Sequence, residues 1–299
     1  MYYYNKTSTG YNHIKNNKKC QDFSASYHDE ERTIITCCDG HGGNIYIRSD
    51  LGSKFASEAI IKVFKEISLS ETRKLNNQYF CEAIKLGILC EWNRLVETHL
   101  SKSPIRKAEI KDLNENEKYK LLNNKIKAYG TTMIGAMLIK NKLLVVHLGD
   151  GESLFFKGGK LFNIFPENEE EPVGNVTYSM CEDDAFSHIR ITSIDFKNCD
   201  GILLCTDGMV NPYQEYEKFN KTMVIPLVDS IISTGDYSQI NLFVENMASN
   251  LGFGDDVSLA FITKNKNESK IMKEIKEKPE FKSFKEFYEL IYRKIRKNP

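Results

Sequence analysis

The chain has 299 residues, 41% of them hydrophobic and 27% charged, with no formal net charge, which suits one large domain or one domain with an extension. No apolar run reaches the roughly 18 residues a membrane-spanning helix needs, and Met1-Tyr2-Tyr3-Tyr4-Asn5-Lys6 lacks the charged-then-apolar layout of a signal peptide, so neither is expected. The 8 cysteines include no Cys-x-x-Cys pair; they read as reduced core residues of a cytoplasmic protein and exclude a disulfide framework or zinc site.

The zero balance hides an asymmetry. From Lys264 to the end, 12 Lys+Arg stand against 6 Asp+Glu, a net of +6, which leaves −6 on the rest. Solvated surface charge explains an acidic body, and so would aspartates gathered around cations. No nucleic-acid partner is expected.

In chain order, residues 10–22 read as a loop carrying Lys15, Lys18 and Lys19, and residues 23–27 as an alternating strand. An apolar run, 32–38, would pair with it as a hairpin through 28–31, bringing Asp22 to the end where Asp39 emerges. Apolar residues at three- and four-residue spacing predict amphipathic helices over 44–67 and 70–100, while 101–127 reads as a polar surface connection with one short helix. Runs 129–139, 143–148, 153–157 and 160–165, separated by Asn and Gly turns, predict an antiparallel meander. Residues 166–176 form an acidic loop. Strands at 188–194 and 201–206, helices near 224–233 and 238–250, and a last strand at 257–263 complete the body. Strands and helices come in blocks, so the class is α+β with mostly antiparallel sheets. The body spans 1–263, and 264–299 is a basic extension whose Phe284, Phe287, Tyr288, Ile291 and Ile295 predict an amphipathic helix.

The chemistry sits at strand ends. Cys38-Asp39-Gly40-His41-Gly42-Gly43 places a carboxylate, a close-approach glycine and an imidazole on one turn. The same residues would also suit a helix cap and a polar turn. Asp22, Asp207-Gly208 and Asp255-Asp256 repeat the design, with Asp150 as a weaker fifth. Carboxylates converging on one sheet end repel one another, and hard divalent cations relieve that. All-oxygen ligation selects Mg2+ or Mn2+. Two such ions roughly 3.5–4 Å apart, bridged by an aspartate and a hydroxide, suit phosphate ester hydrolysis.

These motifs together resemble the type 2C metal-dependent Ser/Thr protein phosphatases, over roughly residues 8–263. Asp39-Gly40-His41-Gly42-Gly43 is similar to the family's most specific motif, Tyr129-Gly130-Thr131-Thr132 to its Gly-Thr-Thr strand start, and Gly149-Asp150-Gly151 to its Gly-Asp-Ser turn. Cys205-Thr206-Asp207-Gly208 and Gly254-Asp255-Asp256-Val257-Ser258 resemble its late metal motifs, and Gly10, His13 and Cys20-Gln21-Asp22 resemble the opening of a bacterial-type branch. The resemblance implies a four-layer α-β-β-α sandwich with two central antiparallel sheets and a metal cleft at one sheet edge. By position, Asp39 would bridge two metals and the Gly40 carbonyl would bind the second. Asp207 and Asp255 would complete the first, Asp22 would hold its waters, and Asp150 would match a third, weaker site. His41 would protonate the departing Ser or Thr oxygen of a phosphoprotein substrate.

Three positions depart from the family pattern. Asn17 stands where its phosphate-binding arginine falls, so Lys18 or Lys19 is expected to substitute as a point charge. Asn211 replaces a second third-metal aspartate, and Asp256 replaces an asparagine, so either Asp255 or Asp256 is a candidate to face the metal. The alternatives are a non-catalytic or regulatory phosphoprotein-binding module on the same scaffold, and a phosphatase of small phosphate esters.

Overall fold

The run Arg32-Thr33-Ile34-Ile35-Thr36-Cys37-Cys38 has no polar face to turn toward water, and all seven residues are buried. The computed structural model, which describes residues 1–157, 160–165, 177–210, 238–250 and 252–264, places this run in the middle of the fold. The elements, in order, are β1 (Tyr2–Ser8), α1 (Tyr11–Lys15), β2 (Phe23–His28), β3 (Arg32–Cys38), α2 (Ser49–Glu66), α3 (Gln78–Lys102) and α4 (Glu115–Asn123). They continue with β4 (Met133–Ile139), β5 (Lys142–Leu148), β6 (Glu152–Lys157), β7 (Lys160–Asn163), α5 (Ala185–His188), β8 (Arg190–Asp195) and β9 (Gly201–Cys205). Last come α6 (Asp207–Val210), α7 (Ser238–Ala248) and β10 (Val257–Thr263).

The strands form two antiparallel five-stranded sheets, ordered β1-β10-β9-β6-β7 and β2-β3-β4-β5-β8. Strand β3 is buried on both faces because it is interior to its sheet and that sheet is covered on both sides. Ile35, Cys37, Ile134 and Ala136 face Ile202, Leu204, Ala260 and Ile262 between the sheets. On the opposite face, Ile34, Met137, Leu144 and Val146 meet Ala59, Ile60 and Phe64 of α2 and Ile88 and Trp92 of α3. Helix α7 lies on β1 and β10, where Lys6 Nζ reaches Glu245 Oε1 at 2.9 Å. The layers therefore run helix, sheet, sheet, helix, as expected. The helix predicted near 224–233, the acidic loop 166–176, Asn211 and the extension beyond Lys264 lie outside the described residues. No described helix is long and apolar enough to cross a membrane.

Four local expectations need correcting. The predicted 10–22 loop is not irregular throughout, since α1 occupies part of it; β1, at residues for which no element was expected, pairs with β10. Helix α2 begins at Ser49 instead of near residue 44, because Arg48 holds its entry in a buried network described below. The predicted 70–100 helix divides into a 3-10 turn, Leu69–Lys74, and α3, which restarts where Asn77 Oδ1 accepts the Phe80 amide at 3.1 Å. The predicted meander is two hairpins in different sheets, since β4 and β5 lie in one and β6 and β7 in the other. The chain crosses between sheets at Gly149-Asp150-Gly151, where Gly149 takes φ +111°, a conformation that favours glycine.

Candidate active site

The β2–β3 hairpin pairs Phe23 with Cys38, so the residues just outside it, Asp22 and Asp39, come together at the end opposite the turn. Backbone bonds fix Asp39 there: its carbonyl accepts the Thr132 amide at 2.8 Å and Thr131 Oγ1 at 2.8 Å, and its amide donates to Thr132 Oγ1 at 2.9 Å. The next residue has to be glycine, since a Cβ at Gly40 would lie 2.6 Å from both Gln21 O and Ser49 O. Asp150 arrives on the crossing between sheets, and Asp207 is the first residue of α6, separated from β9 by Thr206. One carboxylate oxygen each from Asp39, Asp150 and Asp207 lie within 4.8 Å of one another.

These three share a cavity of about 220 Å³ with His13, Gln21, Gly40, His41, Asp255 and Asp256. Asp22 lies behind it, only 5% exposed, with Oδ2 accepting Thr206 Oγ1 at 2.7 Å. Burial, with the charges of Asp22 and Asp207, holds the Asp39 carboxyl well above the usual range. Burial also raises Asp22, against the Thr206 hydrogen bond, and Asp256 and Asp207 push the same way. Clustered carboxylates and a glycine carbonyl are hard oxygen donors, the donor set that fits Mg2+ or Mn2+.

His41 follows Gly40 on the cavity wall. Its amide donates to Gly130 O at 3.1 Å, its carbonyl accepts Gln21 Nε2 at 3.0 Å, and its ring lies 4.9 Å from that of Tyr46. Burial lowers its pKa, opposed by Asp150 and Glu182.

The paired aspartates before β10 divide their work. Asp256 is buried, its Oδ1 accepting the Gly10 amide at 2.7 Å and its Oδ2 the Gln21 amide at 2.6 Å, with His13 Nδ1 2.8 Å from the same oxygen. Asp255 is exposed at the cavity. Lys18 and Lys19 are not on this cavity. They line an adjoining depression of about 470 Å³ that shares Gln21 and Gly42 with it, and Lys19 pairs with Asp50 at 2.9 Å. The structure thus gathers Asp39, Gly40, His41, Asp150, Asp207 and Asp255 around one space, with Asp22 behind it and the two lysines beside it.

Residues to which sequence reasoning gave no role also shape the site. Gln21 and His13 lie in the opening motif, which was their only signal. Thr177, whose Oγ1 donates to Asp150 Oδ2, has none in the sequence. Arg48 was absorbed into a predicted helix. Its buried guanidinium instead joins Glu109, Tyr129, Ser103 and Pro104, and Tyr129 precedes the Gly130 carbonyl that takes the His41 amide.

Known proteins share this arrangement of sheets and helices. Stp1, a serine/threonine phosphatase from Staphylococcus aureus, is 14% identical with a TM-score of 0.58, over 88% of this chain and 94% of that one. The catalytic domain of the serine/threonine protein phosphatase PstP, in complex with two manganese ions, is 14% identical with a TM-score of 0.51, over 87% and 96%. PppA, a regulatory component of the type VI secretion system of Pseudomonas aeruginosa, is 16% identical with a TM-score of 0.52, over 88% and 99%. No curated protein matches the chain in sequence. The family model for protein phosphatase 2C matches residues 9–239. That match covers most of the chain and takes in Asp22, Asp39, His41, Asp150 and Asp207, and by it the protein belongs to the protein phosphatase 2C family of serine/threonine phosphatases.

Proposed function

We propose that the protein hydrolyses phosphoserine and phosphothreonine in other proteins with two bound Mg2+ or Mn2+ ions. The observation that carries this reading is the convergence of Asp39, Asp150 and Asp207 on the cavity that His41 also lines. PstP, with its two manganese ions, supports the ion count. Asp39 would hold both ions and the Gly40 carbonyl the second. Asp207 and Asp255 would complete the first, Asp22 would accept from its waters, and Asp150 would hold a third, weaker ion. When bound, the ions would neutralise the acidic cluster and activate the water that attacks phosphorus.

The chain's own groups then set geometry and move the proton. Thr131 and Thr132 fix the Asp39 backbone, and Gln21 and Gly130 fix that of His41. His41 would deliver a proton to the departing Ser or Thr oxygen, a poor leaving group for which such help contributes roughly 10²–10⁴-fold. Lys18 and Lys19, on the rim beside the cavity, would draw the anionic substrate toward it. The eight free thiols suit a reducing, cytoplasmic compartment.

The experiment is turnover of a phosphothreonine peptide with Mn2+, with and without chelator, beside a sugar phosphate. Chelator-sensitive release of phosphate from the peptide is expected. Binding without turnover would point to a non-catalytic module, and preference for the sugar phosphate to a small-ester enzyme.

A further inference from the structure

A phosphate monoester brings negative charge into a cavity walled by Asp39, Asp150, Asp207, Asp255 and Asp256. No lysine or arginine is among the described residues that line it; Lys18 and Lys19 line the adjoining depression instead. Two imidazoles do line it, His41 and His13. His13 sits in α1, which is tied to the β10 lead-in by the Asn12 amide donating to Gly254 O at 2.9 Å. Its Nδ1 lies 2.8 Å from Oδ2 of Asp256. That carboxylate is only 4% exposed, and the amides of Gly10 and Gln21 fix it in turn. The ring is therefore held from behind. Its remaining polar atom, Nε2, has no protein partner among the described residues.

We propose that His13, oriented by Asp256, binds the phosphoryl group of the substrate. This inference rests on the phosphatase reading above. Nδ1 is turned to Asp256, which leaves Nε2 as the ring atom that hydrogen-bonds a phosphate oxygen. His13 thereby does from α1 what Lys18 and Lys19 are not placed to do from the next depression. The Asp256 carboxylate fixes the ring plane, which makes it a positioning residue. A carboxylate-held imidazole is also a common metal ligand, so the test has to separate phosphate from cation.

The experiment uses the full chain with Mn2+, p-nitrophenyl phosphate as substrate and inorganic phosphate as competing ligand, for the wild type, His13→Gln and His13→Ala. A charge-assisted hydrogen bond lost from the phosphate should raise KM and the phosphate inhibition constant roughly 10- to 100-fold. The Mn2+ activation constant and the melting temperature of His13→Gln should stay at wild-type values. Asp256→Asn should weaken phosphate binding in the same direction, and adding it to His13→Ala should cause little further loss. An unchanged phosphate inhibition constant in both His13 variants overturns the proposal. So does a defect that excess Mn2+ restores, which would place His13 on the cation, or a fall in kcat and melting temperature alone, which would make it a brace. A wild-type protein inactive on every phosphate ester overturns the phosphatase reading itself, and the inference with it.

Discussion

Replacing Arg48 by Met tests how much the buried network at the entry of α2 stabilises the fold that carries the site. Arg48 is 5% exposed. Its Nε donates to Glu109 Oε1 at 2.8 Å and Nη2 to Oε2 at 3.0 Å, while Nη1 reaches Tyr129 Oη at 2.8 Å and Ser103 O at 2.7 Å, and Nη2 reaches Pro104 O at 3.2 Å. Met keeps most of the stem and removes every donor. Breaking a buried ion pair from one side costs about 3–5 kcal/mol. Glu109 keeps 22% of its side chain exposed, so water recovers part of the loss and the low end, about 3 kcal/mol, applies. At roughly 2–4 °C per kcal/mol, the melting temperature should fall by about 6–12 °C. The pH dependence gives a second check. Arg48, foremost, holds the Glu109 carboxyl at about 2 instead of 4.5. A depressed carboxyl stabilises fully above its unfolded value and loses that contribution as pH falls toward its folded one. The stability gap between wild type and R48M should therefore narrow from about pH 5 to about pH 3. Urea unfolding across that range measures it. A loss under about 1 kcal/mol at neutral pH, or a gap that does not change with acidity, would refute the reasoning.

Other changes act on the site directly. Asp39→Asn should abolish activity while the metal-free protein melts no lower than wild type, because it withdraws one charge from beside Asp22 and Asp207; near-full activity with Mn2+ would count against Asp39 as a shared ligand. His41→Ala should lower kcat on phosphoserine peptides roughly 10²–10⁴-fold and far less on p-nitrophenyl phosphate, whose leaving group needs little protonation; equal losses would argue against the acid role. Gly52→Ala would put a Cβ 2.0 Å from Tyr129 O, and should destabilise by about 1–3 kcal/mol; wild-type melting would show that α2 can shift away from Tyr129 without loss.

Much of the fold was legible because burial leaves a period in the sequence. The last strand, 257–263, was read at its observed bounds, since an apolar run between a Gly-Asp-Asp turn and a lysine admits few other readings. Strand β1 was missed for the opposite reason. It is an edge strand, half-buried along its length, and Tyr2-Tyr3-Tyr4-Asn5-Lys6-Thr7-Ser8 shows no apolar face. Its pairing, Tyr2 with Thr263 through Ser8 with Val257, joins the two ends of the described fold, and no local pattern announces a contact between residues so far apart. The meander failed similarly. Each hairpin was visible in its turn residues, but which sheet a hairpin joins depends on the φ of Gly149 and on β9, which arrives much later in the chain.

The same distinction explains the site. The Asp39 turn was legible because its chemistry needs a carboxylate, a close-approach glycine and an imidazole at consecutive positions, and few other jobs need all three. Asp255 and Asp256 were not separable by type, since either carboxylate can hold a cation or accept backbone amides. What separates them is the path of the N-terminus. Pairing of Ser8 with Val257 carries Gly10 to Asp256, where the amides of Gly10 and Gln21 and the ring of His13 occupy that carboxylate. Consecutive residues entering a strand point to opposite sides, which leaves Asp255 on the cavity. An unnoticed edge strand thus decides which of two adjacent aspartates is available to a cation, and brings His13 to the wall of the site.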